Sequence, residues 1–370
     1  MLEGQNRSLF VWLTDRLAIR LRQGTRMPAC GAIWRATCCL VYTFLFTVSF
    51  GQMTEAQARP ARFEIASGFH PADPLFGAQL GALMKTLKAA SMKGIRLRTS
   101  RKAIGASSGQ MLALIKRGSL DGALIDPTSL GMRPALAQVL GGLPFGPAAQ
   151  EIKAWAARPA GRETLQQAFS TIGAHPIICG HSERTSAVFA REELPQPVQP
   201  HLLTLHVKGL AEETYQALGF LTRKLPPADL YMGYATGVAD LLVSNNPAMA
   251  ARAGFAQVSS YLYYPSWETT SAFALLLIGL EPWQAYSSAN RAVIETACQA
   301  LNKAPAPLHA DSTLADIRSQ GPGGTVVTPW PEAVVENARA SWRATASKLV
   351  ARHPALAPVF QALDVPVSSP

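Results

Sequence analysis

Apolar positions along the chain switch period in a regular way. From Arg62 to Ser67 they follow the two-residue repeat of a strand. After a turn at Gly68–Pro74 they recur every three to four residues from Phe76 to Ala90, as in an amphipathic helix. The exchange repeats down the chain. Strand-length runs at Ile95–Thr99, Leu120–Ile125, His175–Gly180, Leu202–Val207 and Gly237–Val243 are interleaved with helical segments at Gly109–Lys116, Ala149–Phe169 and Ala211–Leu221. Trp283–Leu301 and Pro331–Arg352 carry the longest helical periods, so the last hundred residues read as mostly helical. Strands alternating with helices imply sheets covered on both faces, which predicts an α/β fold of doubly wound parallel sheets. A chain of 370 residues has room for two such lobes, each with its own core. Ligands of doubly wound sheets sit at strand C-terminal ends, and two lobes place a cleft there.

The N-terminus has a different pattern. Arg35 precedes an apolar run from Cys38 to Phe50, and small residues frame Ala56-Gln57-Ala58, the three parts of a cleavable export signal in order. The run is thirteen residues long, short of the roughly 20 that a membrane span needs. We therefore expect export with cleavage near Ala58. Met27 is an alternative start for this signal, and residues 1–26 are either an extended basic leader or an upstream start.

The formal net charge of +10 shrinks once the leader is set aside. Six arginines and three acids precede Arg59, leaving 28 basic and 21 acidic residues, a net of +7 spread without any block of like charge. No basic-aromatic run occurs, which argues against a nucleic acid partner. Only Cys179 and Cys298 follow the leader. They could pair in an oxidising compartment, but a core of this size does not need a staple, so isolated buried thiols are the expectation.

Catalytic signatures are weak. Gly105-Ala106-Ser107-Ser108-Gly109 matches the G-x-S-x-G nucleophile elbow, yet Arg101-Lys102-Ala103-Ile104 separates it from the preceding strand. Ser107 or Ser108 as a helix N-cap explains the same residues, and that reading is preferred. His181-Ser182-Glu183 has the residue types of a triad, but neighbours along one strand point apart. No P-loop, dinucleotide fingerprint or H-E-x-x-H zinc motif is present, and no cofactor is expected. The dense aromatic run Tyr261–Trp267 fits either a half-buried strand or the wall of a ligand cleft.

Taken in order, several strings resemble the solute-binding proteins of tripartite ATP-independent periplasmic (TRAP) transporters. Gly118-Ser119-Leu120-Asp121-Gly122-Ala123 is similar to that family's G-x-L-D-x-A segment, and Gly142-Leu143-Pro144-Phe145-Gly146 to its G-x-P-F-G turn. Asp229-Leu230-Tyr231 with Gly237-Val238-Ala239-Asp240 resembles D-I-Y…G-x-x-D. Tyr261–Trp267 resembles the Y-Y-Y-Y-P-G-W segment of the 2-oxo acid-binding branch, and Thr296-Ala297-Cys298-Gln299-Ala300 falls where that branch has a similar helix. The likeness runs from about Phe63 to Leu363.

The resemblance implies a two-lobed periplasmic-binding-protein fold that closes on ligand like a hinged trap, without making or breaking a bond. It divides the chain into a leader at 1–58, a first lobe at 59–177, a second at 178–256, a return to the first at 257–300, and a C-terminal helical region at 301–370 packing on both. It also implies capture of a small organic acid and delivery to TRAP-type permease subunits. A sensor, or a binding protein that has lost its ligand chemistry, is the alternative, with a secreted serine hydrolase using Ser107 a weaker one.

The family's binding residues carry over incompletely. Its carboxylate-gripping arginine in an M-R-I strand falls on His206, which cannot make the planar bidentate pair. Its glutamine falls on Thr185, beside Arg184, the one nearby cation able to grip a carboxylate. Its E-W pair falls on Val243-Ser244, and a second glutamate falls on Thr269, with Glu268 one place earlier. With those carboxylates displaced, no metal site is expected, since hard cations need oxygen ligands. The cleft is expected to be lined by Arg184, Thr185, His206, Ser244, Asn245, Trp267 and Glu268. The neutral donors of Ser244 and Asn245 suit a hydroxylated or weakly charged ligand.

Overall fold

The computed structural model describes residues 61–73, 75–90, 94–100, 106–183, 186–303 and 310–367. The expected export signal and the candidates Arg184 and Thr185 lie outside the described residues. Among the described residues no helix is long and apolar enough to cross a membrane.

The first lobe opens with β1 (Ala61–Ser67), α1 (Gln79–Ala89), β2 (Ile95–Thr99), α2 (Ser108–Lys116) and β3 (Gly122–Ile125), then α3 (Leu136–Leu140), α4 (Ala149–Ala157), α5 (Pro159–Ser170) and β4 (Ala174–Glu183). The chain then crosses into a second lobe of β5 (Ala187–Ala190), β6 (Thr204–His206), α6 (Ala211–Ala217), β7 (Leu221–Thr222), α7 (Leu230–Ala235), β8 (Leu241–Ser244), α8 (Pro247–Arg252) and β9 (Tyr261–Tyr263). It returns as β10 (Ser271–Gly279), α9 (Leu280–Ala285) and α10 (Ser288–Lys303). It ends with α11 (Ala310–Gln320), β11 (Val326–Thr328), α12 (Glu332–Arg352) and α13 (Ala357–Ala362).

Two sheets result, ordered β2-β1-β3-β10-β4 and β11-β9-β5-β8-β6-β7. The two-lobed α/β architecture is the one the alternation predicts. Each sheet is mixed, however, rather than wholly parallel: β10 runs antiparallel to β3 and β4, and β5 antiparallel to β8 and β9. These are the strands that enter a lobe from the other one. Starting at the cleft, they can only run away from it, whereas a strand fed by a helix within its own lobe runs towards it.

Sheet membership also moves the crossings. All of β4 lies in the first sheet, so the outward crossing follows Glu183 and not residue 177. The return lies between Tyr263 and Ser271, and β11 belongs to the second sheet.

β10 is the centre of the first core and carries no helical or alternating signal in the sequence. Phe273, Leu275 and Leu277 face one apolar layer and Ala274, Leu276 and Ile278 the other. A strand buried on both faces is a continuous apolar run, which periodicity cannot tell from a buried helix. The predicted helix at 149–169 is likewise two helices. Pro159 lacks an amide hydrogen and drives Arg158 into an extended conformation (ψ 150°), which ends α4 and starts α5.

α12 ties the lobes together. Near its N-terminus Val334, Val335 and Ala338 pack into the second-lobe core, and towards its C-terminus Trp342, Ala346 and Leu349 pack into the first. Its 21 residues span roughly 30 Å, enough to lie across both. Cys179 and Cys298, expected to be separate thiols, form a disulfide that staples β4 to α10. α10 packs on the face of the sheet towards which Cys179 points, which brings the two side chains within bonding range.

Candidate functional site

The strand ends define where the lobes face each other. In the first lobe the C-terminal ends of β1 and β3 lead into the Ser67–Asp73 loop and Asp126. In the second, β6 and β8 end at His206 and Ser244. The two sets meet directly. Asn246 Nδ2 donates to Asp73 Oδ1 at 3.2 Å, and Arg252 Nη1 donates to the Ala72 carbonyl at 2.6 Å. Asp73 is held for this by accepting from the Leu75 and Phe76 amides, and Asn246 by capping α8 through Met249.

Asp126 reaches solvent yet is ringed by protein. That enclosure raises its carboxyl pKa, the Thr128 hydroxyl and amide lower it, and the charge of Asp73 raises it again.

Behind this mouth lies an aromatic stack. The Phe145 ring lies parallel to Trp267, with centroids 5.3 Å apart and planes within 4°, and Tyr215 leans on the same indole at 4.6 Å. Arg339 of α12 covers Phe145 with its guanidinium 4.4 Å from the ring centre. The Phe145 amide donates to the Trp267 carbonyl at 2.9 Å, so the 142–146 turn is hydrogen-bonded to the return crossing.

Glu268 is buried beside this stack. Its Oε1 accepts from the Tyr215 hydroxyl and, at 2.8 Å, from Ser266, whose own oxygen accepts from Trp330 Nε1 at 2.7 Å. Oε2 and the Trp267 Nε1 have no well-formed partner among the described residues. Burial raises the Glu268 pKa above the ordinary carboxylate range, while the Ser266 and Tyr215 hydroxyls pull it down.

A carboxyl of raised pKa, engaged by two hydroxyls, is a poor ligand for a hard cation. Among the described residues no three His, Cys, Asp or Glu side chains converge as a metal would require.

The Glu268 arrangement has a testable consequence. The folded state holds the proton more tightly than the unfolded chain, whose glutamate titrates near 4.5. The group's contribution is thus complete below that value and is lost as pH rises through the raised one. Glu268→Gln keeps the acceptor for Tyr215 and removes the titration. Its unfolding midpoint is expected to decline less between pH 4.5 and neutrality than that of the parent. Parallel pH profiles for the two proteins would show that Glu268 ionises normally.

The other expected site residues are distributed unevenly. His206 is 2% exposed, and its Nδ1 lies 3.2 Å from both the Leu225 amide and the Arg223 carbonyl, tying β6 to the 223–225 loop. Burial lowers its pKa, Lys208 adds to that, and the Arg223 bond and Glu212 oppose it. A neutral ring held in this way does not supply the charge of an arginine and leaves only Nε2 for a ligand. Ser244 is half-buried, with its oxygen taken by the Asn246 amide at 3.2 Å, and Asn245 is exposed beside it. Trp267 and Glu268 are brought together in the stack, whereas Ser244 and Asn245 sit at the mouth. Ser107 is an N-cap: its oxygen accepts from the Gln110 amide at 3.3 Å, and Gln110 Oε1 accepts from the Ser107 amide at 2.7 Å.

Asp73, Asp126 and Asn246 escaped the sequence reading, although the strand-end rule points to them. Tyr215 and Arg339 carried no signal, since their role depends on how α6 and α12 pack.

A family model described as bacterial extracellular solute-binding protein, family 7, matches residues 67–352. A comparison with the curated proteins finds no match. Among solved structures, the chain is similar to a TRAP periplasmic solute-binding protein of Pseudoalteromonas atlantica with bound sodium and pyruvate. Identity is 17%, the TM-score is 0.71, and the match covers 82% of this chain and 93% of that one. It is also similar to a TRAP transporter solute-binding protein of Bordetella bronchiseptica with copurified calcium and picolinate, at 20% identity and TM-score 0.67, covering 82% and 90%. A third, from Haemophilus influenzae with bound L-gulonate, matches at 14% identity and TM-score 0.64, covering 82% and 99%. At these identities the structures speak for the fold, and the family model for the lineage: the chain belongs to the bacterial extracellular solute-binding protein family 7.

Proposed function

We propose that this protein is a periplasmic TRAP-type solute-binding protein that captures a small organic acid between its lobes and delivers it to membrane permease subunits. The observation that carries the reading is the meeting of the two lobes at their strand ends, with Asn246 bonded to Asp73 across the mouth and a Phe145–Trp267 stack behind it. Such a device works by population shift: a solute is retained only if it binds the closed arrangement better than the open one. The pyruvate, picolinate and gulonate named for similar structures support a carboxylate as the ligand class. The disulfide supports an oxidising compartment, in keeping with export.

The family's arginine position is occupied by a buried neutral histidine, so Arg184 is the residue we assign to grip the carboxylate. Trp267 supplies an apolar wall, and Ser244 and Asn245 neutral donors. Thermal unfolding against 2-oxo acids, hydroxy acids and aromatic carboxylates tests this. A true ligand at 100 times its dissociation constant adds about 2.7 kcal/mol to the folded state. Affinity is expected to fall at least tenfold in Arg184→Gln, which about halves that gain, because a charge-assisted pair is lost. A well-folded protein with no response to any class in the panel would favour the sensor reading, to which the displaced arginine and carboxylates already point.

A further inference from the structure

We propose that the first lobe carries a second small-molecule site, away from the cleft, for an organic carboxylate with an apolar body. A cavity of about 590 Å³ lies between α4, α5, α10 and the outer edge of β4, a volume in the range of ligand pockets. It meets β4 at His175–Ile178. The crossing to the second lobe begins after Glu183, roughly 20 Å further along the strand.

The walls are fixed to one another. The Cys179–Cys298 disulfide joins β4 to α10, and Asn302 Nδ2 donates to the Ile178 carbonyl at 2.6 Å. Lys153 Nζ of α4 donates to the Asn302 carbonyl at 2.8 Å. A cavity held by a covalent bond and two hydrogen bonds needs little ordering when it binds, which favours affinity.

Its lining specifies the chemistry. Leu165, Ala156 and Ile177 form an apolar floor, and Lys153, Arg162 and Lys303 outnumber Glu295 on the walls. His175 adds no charge, because burial and then Arg291 lower its pKa to about 4. A peptide strand is disfavoured as the occupant. β4 is an edge strand, but Pro176 removes an amide hydrogen there and spoils regular pairing.

Calorimetric titration of the oxidised full-length protein with octanoate tests the assignment. Binding is expected to be at least tenfold tighter than for octan-1-ol, which lacks the charge. Arg162→Gln/Lys303→Gln, two exposed positions, should weaken it about tenfold or more, and Ala157→Trp, which fills the cavity mouth, should abolish it. No measurable binding to the parent protein, or undiminished binding in both variants, would overturn the proposal.

Discussion

Reducing the Cys179–Cys298 disulfide is expected to lower the unfolding free energy by about 4–5 kcal/mol. The bond closes a loop with a sequence separation of 119, and the loop-closure entropy it removes from the unfolded chain grows with the logarithm of that length. For a chain of this size the loss corresponds to a drop of roughly 10 °C in midpoint. Both sulfurs are fully buried, so the clean measurement is guanidinium unfolding and refolding with and without reductant. The Cys179→Ala/Cys298→Ala protein serves as a reductant-insensitive control. Coincident curves for oxidised and reduced protein, with two free thiols counted in the latter, would mean that the staple adds nothing to stability.

Gly142→Ala is expected to cost about 3 kcal/mol or more and to disturb the aromatic stack. Gly142 has φ +102°, and a Cβ there would lie 1.6 Å from Thr269 Oγ1 and 2.5 Å from the Ser271 carbonyl. Overpacking contributes about 1–3 kcal/mol and the backbone conformation about 1–3 more. The neighbouring backbone belongs to the return crossing and cannot give way without moving Trp267, whose carbonyl is bonded to the Phe145 amide. Gly118→Ala is the control: it shares the positive φ (+66°), but a Cβ there meets nothing within 4 Å, so only the backbone contribution should appear. Equal denaturation midpoints for the two variants would remove the steric argument.

Much of the site was hidden from sequence reasoning for identifiable reasons. The Gly142–Gly146 turn and the Tyr261–Trp267 run were both noticed as separate strings, but nothing in either predicts that Phe145 stacks on Trp267. That contact joins segments more than a hundred residues apart. Glu268 is expected in the cleft because it lies one place before the family's glutamate position at Thr269. Its burial beneath Tyr215, and hence its raised pKa, depends on where α6 packs. His206 is expected in the cleft because it falls on the family's arginine position, but the loop at 223–225 that takes up its Nδ1 is fixed only by the pairing of β6 with β7.

The sequence by itself determined the α/β class, the two-lobe scale, the order of most strands and helices, and the cap at Ser107. These follow from local periodicity, from chain length and from hydrogen bonds between residues three apart. Only the tertiary structure decided that β10 is the doubly buried centre of the first sheet, that one strand in each sheet runs backwards, and that Cys179 reaches Cys298. It also decided that α12 spans both cores to set Arg339 on Phe145. All of these rest on contacts between distant segments, whose closure is governed by packing of the whole chain and leaves no period in the sequence to read.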